Sequence, residues 1–282
     1  MHLETIKGNA PLYWDATGLS EDKLKKRSNY ASYEKHQPDI YLPESYKQRC
    51  LNPKDDLVEA IPTPIGFLGG ADFTYNGGTS MEGLYAAGDE IWMDSLSGAF
   101  VFARRAGEAA SKYAASQDLL PIDENQLSQI SSTALSPEKR KNGIQPQELE
   151  EKARAILTRY GNVVKSEGML KHGLKLIREL EERALPQLVA KNPHELMRAV
   201  EARNIMNVAE MHMSAALYRT ETVPYGRHIH HRIDYPTQQP EWYRQRVIIK
   251  LEGNEMKLFK RQTTEQKVPT REEYLAIKEV QP

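Results

Sequence analysis

Asp89 follows Gly88 at the end of a short apolar run, Leu84-Tyr85-Ala86-Ala87. A run of this kind bounded by turn residues reads as a buried strand of an α/β sheet. Ligands of open α/β sheets bind at the carboxyl ends of strands. A glycine there lets a sugar or phosphate approach the backbone, and a carboxylate accepts hydrogen bonds from ligand hydroxyls. The helix expected next would aim the N–H groups near Ser95, Leu96 and Ser97 at an anionic or electron-rich group. Gly-Asp alone would suit an ordinary strand-turn-helix with a surface aspartate. The longer pattern from Thr79 to Asp89 favours a cofactor.

A second constellation lies further along, with Arg219 and Glu221, then Arg227, His228, His230, His231, Arg232 and Asp234. Closely spaced histidines can bind metal or relay protons. Arg219–Glu221 and Arg232–Asp234 can equally be structural ion pairs, and that reading is the stronger one. No metal site is expected.

The elements that must position these groups follow from spacing. Residues 1–60 are mixed, rich in Tyr and Pro, with a short helix expected after a Ser20 cap. Residues 61–118 turn to Gly, Ala and short apolar runs, and Asn76-Gly77 suits a tight hairpin turn. A helix is expected from about Ser95 to Ser111, with Leu96, Ala99, Phe100, Ala103, Ala106, Gly107 and Ala110 on one face. Residues 119–146 are polar and lack periodicity, which reads as a linker.

Residues 147–221 read as three amphipathic helices, hence an antiparallel helical domain. The first covers roughly 147–160. The second covers about 166–190, with Pro186 expected to kink or split it. The third opens at Asn192-Pro193, with Glu195 three residues after the cap, and its expected apolar stripe is Leu196, Val200, Val208, Met211 and Ala215. The tail, 222–282, reads as irregular, with a strand pair near Gly253-Asn254.

Composition narrows the function classes. The 282 residues carry 38 Lys+Arg against 39 Asp+Glu, a formal charge of -1 that argues against a dedicated nucleic-acid binder. No stretch approaches a membrane span, and the first residues lack a signal peptide's apolar core. Cys50 is the single cysteine, so these residues hold no disulfide, thiolate zinc site or iron–sulfur cluster of their own. A reducing, cytoplasmic setting is the expectation.

Thr79-Ser80, then Gly83-Leu84-Tyr85-Ala86-Ala87-Gly88-Asp89, resembles the second flavin-binding motif of two-dinucleotide-type flavoproteins. Residues 94–107 resemble the helix that covers the flavin in succinate dehydrogenase and fumarate reductase flavoprotein subunits. Pro62-Thr63-Pro64 and Gly69-Gly70 resemble the segment that re-enters the FAD domain from the capping domain. Residues 194–199, Arg219-x-Glu221-Thr222 and Arg232-Ile233-Asp234-Tyr235-Pro236 are similar to the alpha subunit of adenylylsulfate reductase, of the same superfamily. The resemblance runs from about residue 3 to 260 and matches the C-terminal half of such a subunit.

The resemblance implies an α+β or α/β chain. It would comprise the end of a capping-type domain (1–60), part of an FAD domain (61–118), the linker (119–146), the helical domain (147–221) and the tail (222–282). It implies non-covalent FAD, with Asp89 on a ribityl hydroxyl and Gly69, Gly70, Gly88, Ser95, Leu96 and Ser97 lining the flavin. Arg219, His230 and Arg232 become the candidates for handling a small-molecule substrate.

Two departures accompany it. No G-x-G-x-x-G fingerprint, the cradle of the FAD pyrophosphate, occurs in these residues. The histidine that succinate and fumarate enzymes carry after Pro-Thr and the arginine after Gly-Asp are also missing; Pro64, Ile65 and Gly66 and then Glu90 and Ile91 stand there. The expectation is therefore one component of a split FAD-dependent oxidoreductase, or a truncated piece of one. Its partners would be a chain carrying the fingerprint and an iron–sulfur protein. The alternative is a docking subunit of a redox complex that has lost its flavin.

Overall fold

A computed structural model of the chain describes residues 4–5, 7–20, 22–23, 50–52, 54–60, 69–91, 96–118, 121–223, 229–253 and 255–263. The chain divides into two units. One comprises residues 1–64 with 162–164, the other residues 65–161 with 165–282. In the first, strands β1 (Leu12–Trp14) and β2 (Val58–Ala60) pair antiparallel, with Leu12 opposite Ala60. The helix expected after Ser20 lies largely outside the described residues.

The second unit carries the five α-helices among the described residues. Helix α1 (Leu96–Ala115) follows the expected start and runs a turn longer than expected. Its packing corrects the expected stripe. Ala106 is its one buried residue, while Leu96 and Phe100 are 75% and 68% exposed. The side that does pack meets the 72–86 loop, through a Phe73–Phe102 edge contact at 5.4 Å and Arg105 stacked 3.9 Å from the Tyr75 ring centre.

The turn at Asn76-Gly77 forms with one difference. Only Gly77 takes positive φ (+77°), with Gly77 N donating to Thr74 O and Thr74 N to Gly78 O. A side chain at Gly77 would also fall 2.6 Å from the Ala106 Cβ, so turn and helix packing both demand glycine there.

The buried strand expected at Leu84–Ala87 is absent. Tyr85 makes a single antiparallel bridge to Gly78, Leu84 is half exposed, and Gly88–Ile91 is a turn of 3-10 helix. A strand is held by its neighbours, and among the described residues this segment meets only the short stretch 77–79, with Thr79 N donating to Leu84 O and Ala86 N to Gly77 O.

The segment read as a linker contains helix α2 (Glu124–Ala134), started by Asp123, whose carboxylate accepts from Asn125 N and Gln126 N. No residue of α2 is buried, which is why periodicity gave no signal. The end of the segment is pinned to the helical domain. Ile144 N donates to Gln187 O, and Arg140 Nη1 donates to Leu188 O at 2.8 Å.

Helices α3 (Pro146–Tyr160), α4 (Glu167–Arg183) and α5 (Pro193–Tyr218) pack on one another as expected. Ser166 caps α4 through Met169 N, and Pro186 falls in a 3-10 turn that ends it. Asn192 caps α5 through Glu195 N, while Glu195 reaches back to Lys191 N. Leu149, Ala153, Leu170, Leu174, Ile177, Met206, Ala209 and Met213 form the core. Gly173 lets the helices close, since a Cβ there would meet Tyr160 Cβ at 2.8 Å and Met213 Sδ at 2.9 Å.

The stripe expected on α5 is corrected. Val200, Val208 and Met211 are exposed, and Ala199, Ala202, Met206, Ala209, Met213 and Ala216 face inward. Apolar residues fall on more than one face of this helix, and the narrow alanine face permits the closest approach. Beyond it, strands β3 (Val164–Lys165) and β4 (His231–Arg232) are two residues each. The expected strand pair forms as β5 (Gln245–Glu252) and β6 (Glu255–Gln262), in register Gln245 to Gln262.

Candidate functional site

Two places gather the candidate residues. The first is the foot of α1. Gly70 lies against the 3-10 turn so closely that a Cβ there would sit 2.3 Å from Glu90 O, and Ala71 N donates to that carbonyl at 2.6 Å. The re-entry glycines and the Gly-Asp element thus meet, as the sequence order alone could not guarantee. Gly88 takes φ +71° with the Ala99 Cβ 4.0 Å from where its own would stand. Asp89 is exposed, and its carboxylate accepts no hydrogen bond from any described residue. Gly69 faces open space, as does Gly107 on α1. Leu96 and Ser97 stand exposed in the first turn of α1. Ser95 lies outside the described residues.

An FAD fits these groups in part. An unpaired carboxylate beside a glycine of positive φ, next to an uncovered apolar helix face, suits a polyhydroxy chain joined to a flat aromatic ring. These residues offer no cradle for a pyrophosphate.

The second place is the C-terminal end of α5, where Arg219, His230 and Arg232 converge. A helix ends with carbonyls lacking intrahelical donors. Arg232 Nη1 donates to three of them, Ala216 O (2.8 Å), Leu217 O (3.2 Å) and Arg219 O (3.1 Å). Its Nε and Nη2 hold the two oxygens of Asp234, at 2.9 and 2.7 Å. The Arg232 guanidinium and a backbone donor at Glu167 hold the Asp234 carboxyl down at about 2. Arg219 Nε pairs with Glu221 at 2.9 Å, and its Nη1 donates to Gln245 O. Thr222 Oγ1 accepts from Arg232 N and donates to Tyr235 O.

His230 completes the cap. Its Nε2 lies 3.3 Å from Arg219 O and its Nδ1 3.3 Å from Lys165 Nζ. An ammonium can only donate and a carbonyl only accept, so the ring is neutral with its proton on Nε2. Burial, then the Lys165 charge, pushes the His230 pKa down to about 3. Burial, then Arg232, pushes Lys165 down to about 8. Lys165 is the residue that spacing missed; a lysine flanked by Val164 and Ser166 reads as surface, yet this one is 3% exposed.

Arg232 lies inside this cap. It has no solvent-exposed surface, and its Nε, Nη1 and Nη2 are all engaged. Arg219 and His230 are partly buried, with a quarter of the Arg219 side chain exposed. His228 and Arg227 lie outside the described residues, and among the described residues no three metal-ligating groups cluster.

Comparison with known proteins bears on the second place. Residues 150–275, which include the whole arginine cap, match the family described as fumarate reductase flavoprotein C-term. The likeness to that family is thus confined to the C-terminal part of the chain. The chain is 28% identical, over 203 residues, to an uncharacterized FAD-dependent oxidoreductase of Methanocaldococcus jannaschii, covering 67% of this chain and 35% of that one. A CoM/CoB fumarate reductase chain of Methanothermobacter marburgensis is 26% identical over 229 residues, covering 74% of this chain and 41% of the relative.

Solved structures share the fold. Adenylylsulfate reductase of Archaeoglobus fulgidus superposes with TM-score 0.66 at 22% identity, over 93% of this chain and 49% of that one. An E. coli quinol fumarate reductase FrdA variant gives TM-score 0.70 at 19% identity, over 95% and 48%. The chain therefore spans about a third to two fifths of its curated relatives and about half of the solved chains. Among the described residues no helix is long and apolar enough to cross a membrane.

Proposed function

We propose that this chain supplies the C-terminal half of the flavin site of an FAD-dependent oxidoreductase of the fumarate reductase and adenylylsulfate reductase type. A polypeptide bearing the Gly-rich fingerprint supplies the pyrophosphate cradle, and an iron–sulfur protein exchanges electrons with the complex. The observation that carries the reading is the Asp89 carboxylate, exposed and unbonded among the described residues beside Gly88 at the foot of α1. The exposed Leu96 and Phe100 on the same helix supply an apolar surface awaiting cover.

Asp89 would hold the ribityl hydroxyls, and Gly69, Gly70 and Gly88 would admit the cofactor to the backbone. Ser95, Leu96 and Ser97 would place the positive end of the α1 dipole against the ring, favouring negative charge there. FAD, when bound, carries the redox chemistry. In this reading Arg219, His230 and Arg232 position the end of α5, and contact with substrate falls to groups elsewhere in the complex.

The test is reconstitution. The chain purified alone should retain little flavin, and co-expression with a fingerprint-bearing half should yield a yellow complex. Asp89→Ala should weaken flavin retention by about tenfold to a hundredfold, the range for losing hydrogen bonds to a charged group. Tight stoichiometric flavin in the isolated chain, or a complex indifferent to Asp89→Ala, would overturn the proposal. A flavin-free native complex would favour the docking subunit.

A further inference from the structure

A groove of about 520 Å³ runs between α4 and α5, with Leu258 of β6 at its edge. It shares no residue with the foot of α1. Its floor is apolar, formed by Leu174 and Leu217. Ser214 also lines it, and this side chain is 9% exposed yet makes no hydrogen bond with any described residue. A helical serine can bond back to a carbonyl of the preceding turn. Ser111 does so in this chain, donating to Gly107 O at 2.8 Å. Ser214 is thus a mostly buried residue, its hydroxyl unpaired among the described residues, lining an open groove.

The charges beside the groove are arranged by helical spacing. Lys171 and Lys175 stand one turn apart on α4. Each pairs with a glutamate of its own helix, Lys171 with Glu167 and Lys175 loosely with Glu179 at 3.9 Å. Such exposed pairs are weak, and each ammonium keeps further donors. Glu182 lies two turns beyond Lys175, roughly 10 Å along the axis. Arg178 also lines the groove and pairs with Glu210 at 2.7 Å, so a basic stretch from Lys171 to Arg178 runs beside the apolar floor and is followed by the carboxylates of Glu179 and Glu182. We propose that it binds an organic anion with an apolar body, the carboxylate held by Lys171, Lys175 and the Ser214 hydroxyl. Glu179 and Glu182 repel the head group from the other end and so fix the direction of binding.

Octanoate, below its micelle concentration, is the probe. Titrated into the full chain at low salt and followed by calorimetry, it should bind saturably at one site. Octyltrimethylammonium should bind at least tenfold more weakly. Ser214→Val should lower octanoate affinity about fivefold to tenfold, the range for one lost hydrogen bond. Combining Lys171→Gln with Lys175→Gln should lower it about tenfold and remove most of its salt dependence. The lysines are on the surface, so that variant keeps the fold even if Ser214→Val does not. Absence of saturable binding, equal binding of the cation, or an affinity unchanged in the lysine variant would each overturn the proposal.

Discussion

Acid should weaken this fold through one imidazole. His230 is buried at the end of α5, donates from Nε2 to Arg219 O and accepts at Nδ1 from Lys165. Its pKa falls from 6.5 to about 3, through burial first and the Lys165 ammonium second. The unfolded chain takes up this proton near 6.5, and the folded chain refuses it until about 3. The unfolded state thus binds more protons across that window, and stability falls as pH drops through it. At about pH 5 the loss assigned to His230 is about 2 kcal/mol relative to neutral pH. Replacement His230→Gln keeps an amide donor for Arg219 O and an acceptor for Lys165, but cannot titrate. Urea unfolding followed by circular dichroism at about pH 7 and about pH 5 gives the difference between wild type and variant. His212, shifted down mainly by burial, loses stability with the same sign in both proteins and cancels. Wild type should lose about 2 kcal/mol more than His230→Gln. Parallel losses in the two proteins would show that His230 does not carry the proton linkage, and the tautomer assignment would fall with it.

Lys165 gives the alkaline counterpart. With its pKa at about 8 instead of 10.5, the cost of the buried charge is relieved as pH rises between those values. Unfolding free energy should gain up to about 3 kcal/mol across that window, and Lys165→Met should abolish the gain in the same urea assay. Gly173→Ala forces a Cβ against Tyr160 and Met213 and should cost about 1–3 kcal/mol, read as an earlier urea midpoint. Asn192→Ala removes the α5 cap and should cost about 1 kcal/mol, with the slope of the unfolding curve unchanged.

Much of the fold was legible because local chemistry set it. Asn192-Pro193 with Glu195 starts α5, Ser166 starts α4, and Pro186 stops it, all through groups within a turn of one another. The Thr79–Asp89 pattern and the re-entry glycines pointed to a common site, and Gly70 and Glu90 do lie in contact. The α5 stripe was not legible. Period alone cannot choose between two apolar faces when the inner one is alanine and the outer one carries Val200, Val208 and Met211. The segment 84–87 misled for a related reason, since an apolar run states a need for burial without supplying the strands that meet it.

The sequence by itself determined where helices α3 to α5 begin and end and where the turn at Gly77 falls. These rest on interactions between near neighbours in the chain. Only the tertiary structure decided that Arg232 and His230 close the end of α5 and that Lys165 is buried beside them. It also decided that Asp89 is left with its carboxylate open. Whether a charged group meets a carbonyl, a ligand or water depends on chain segments dozens of residues apart, and no local pattern encodes that meeting.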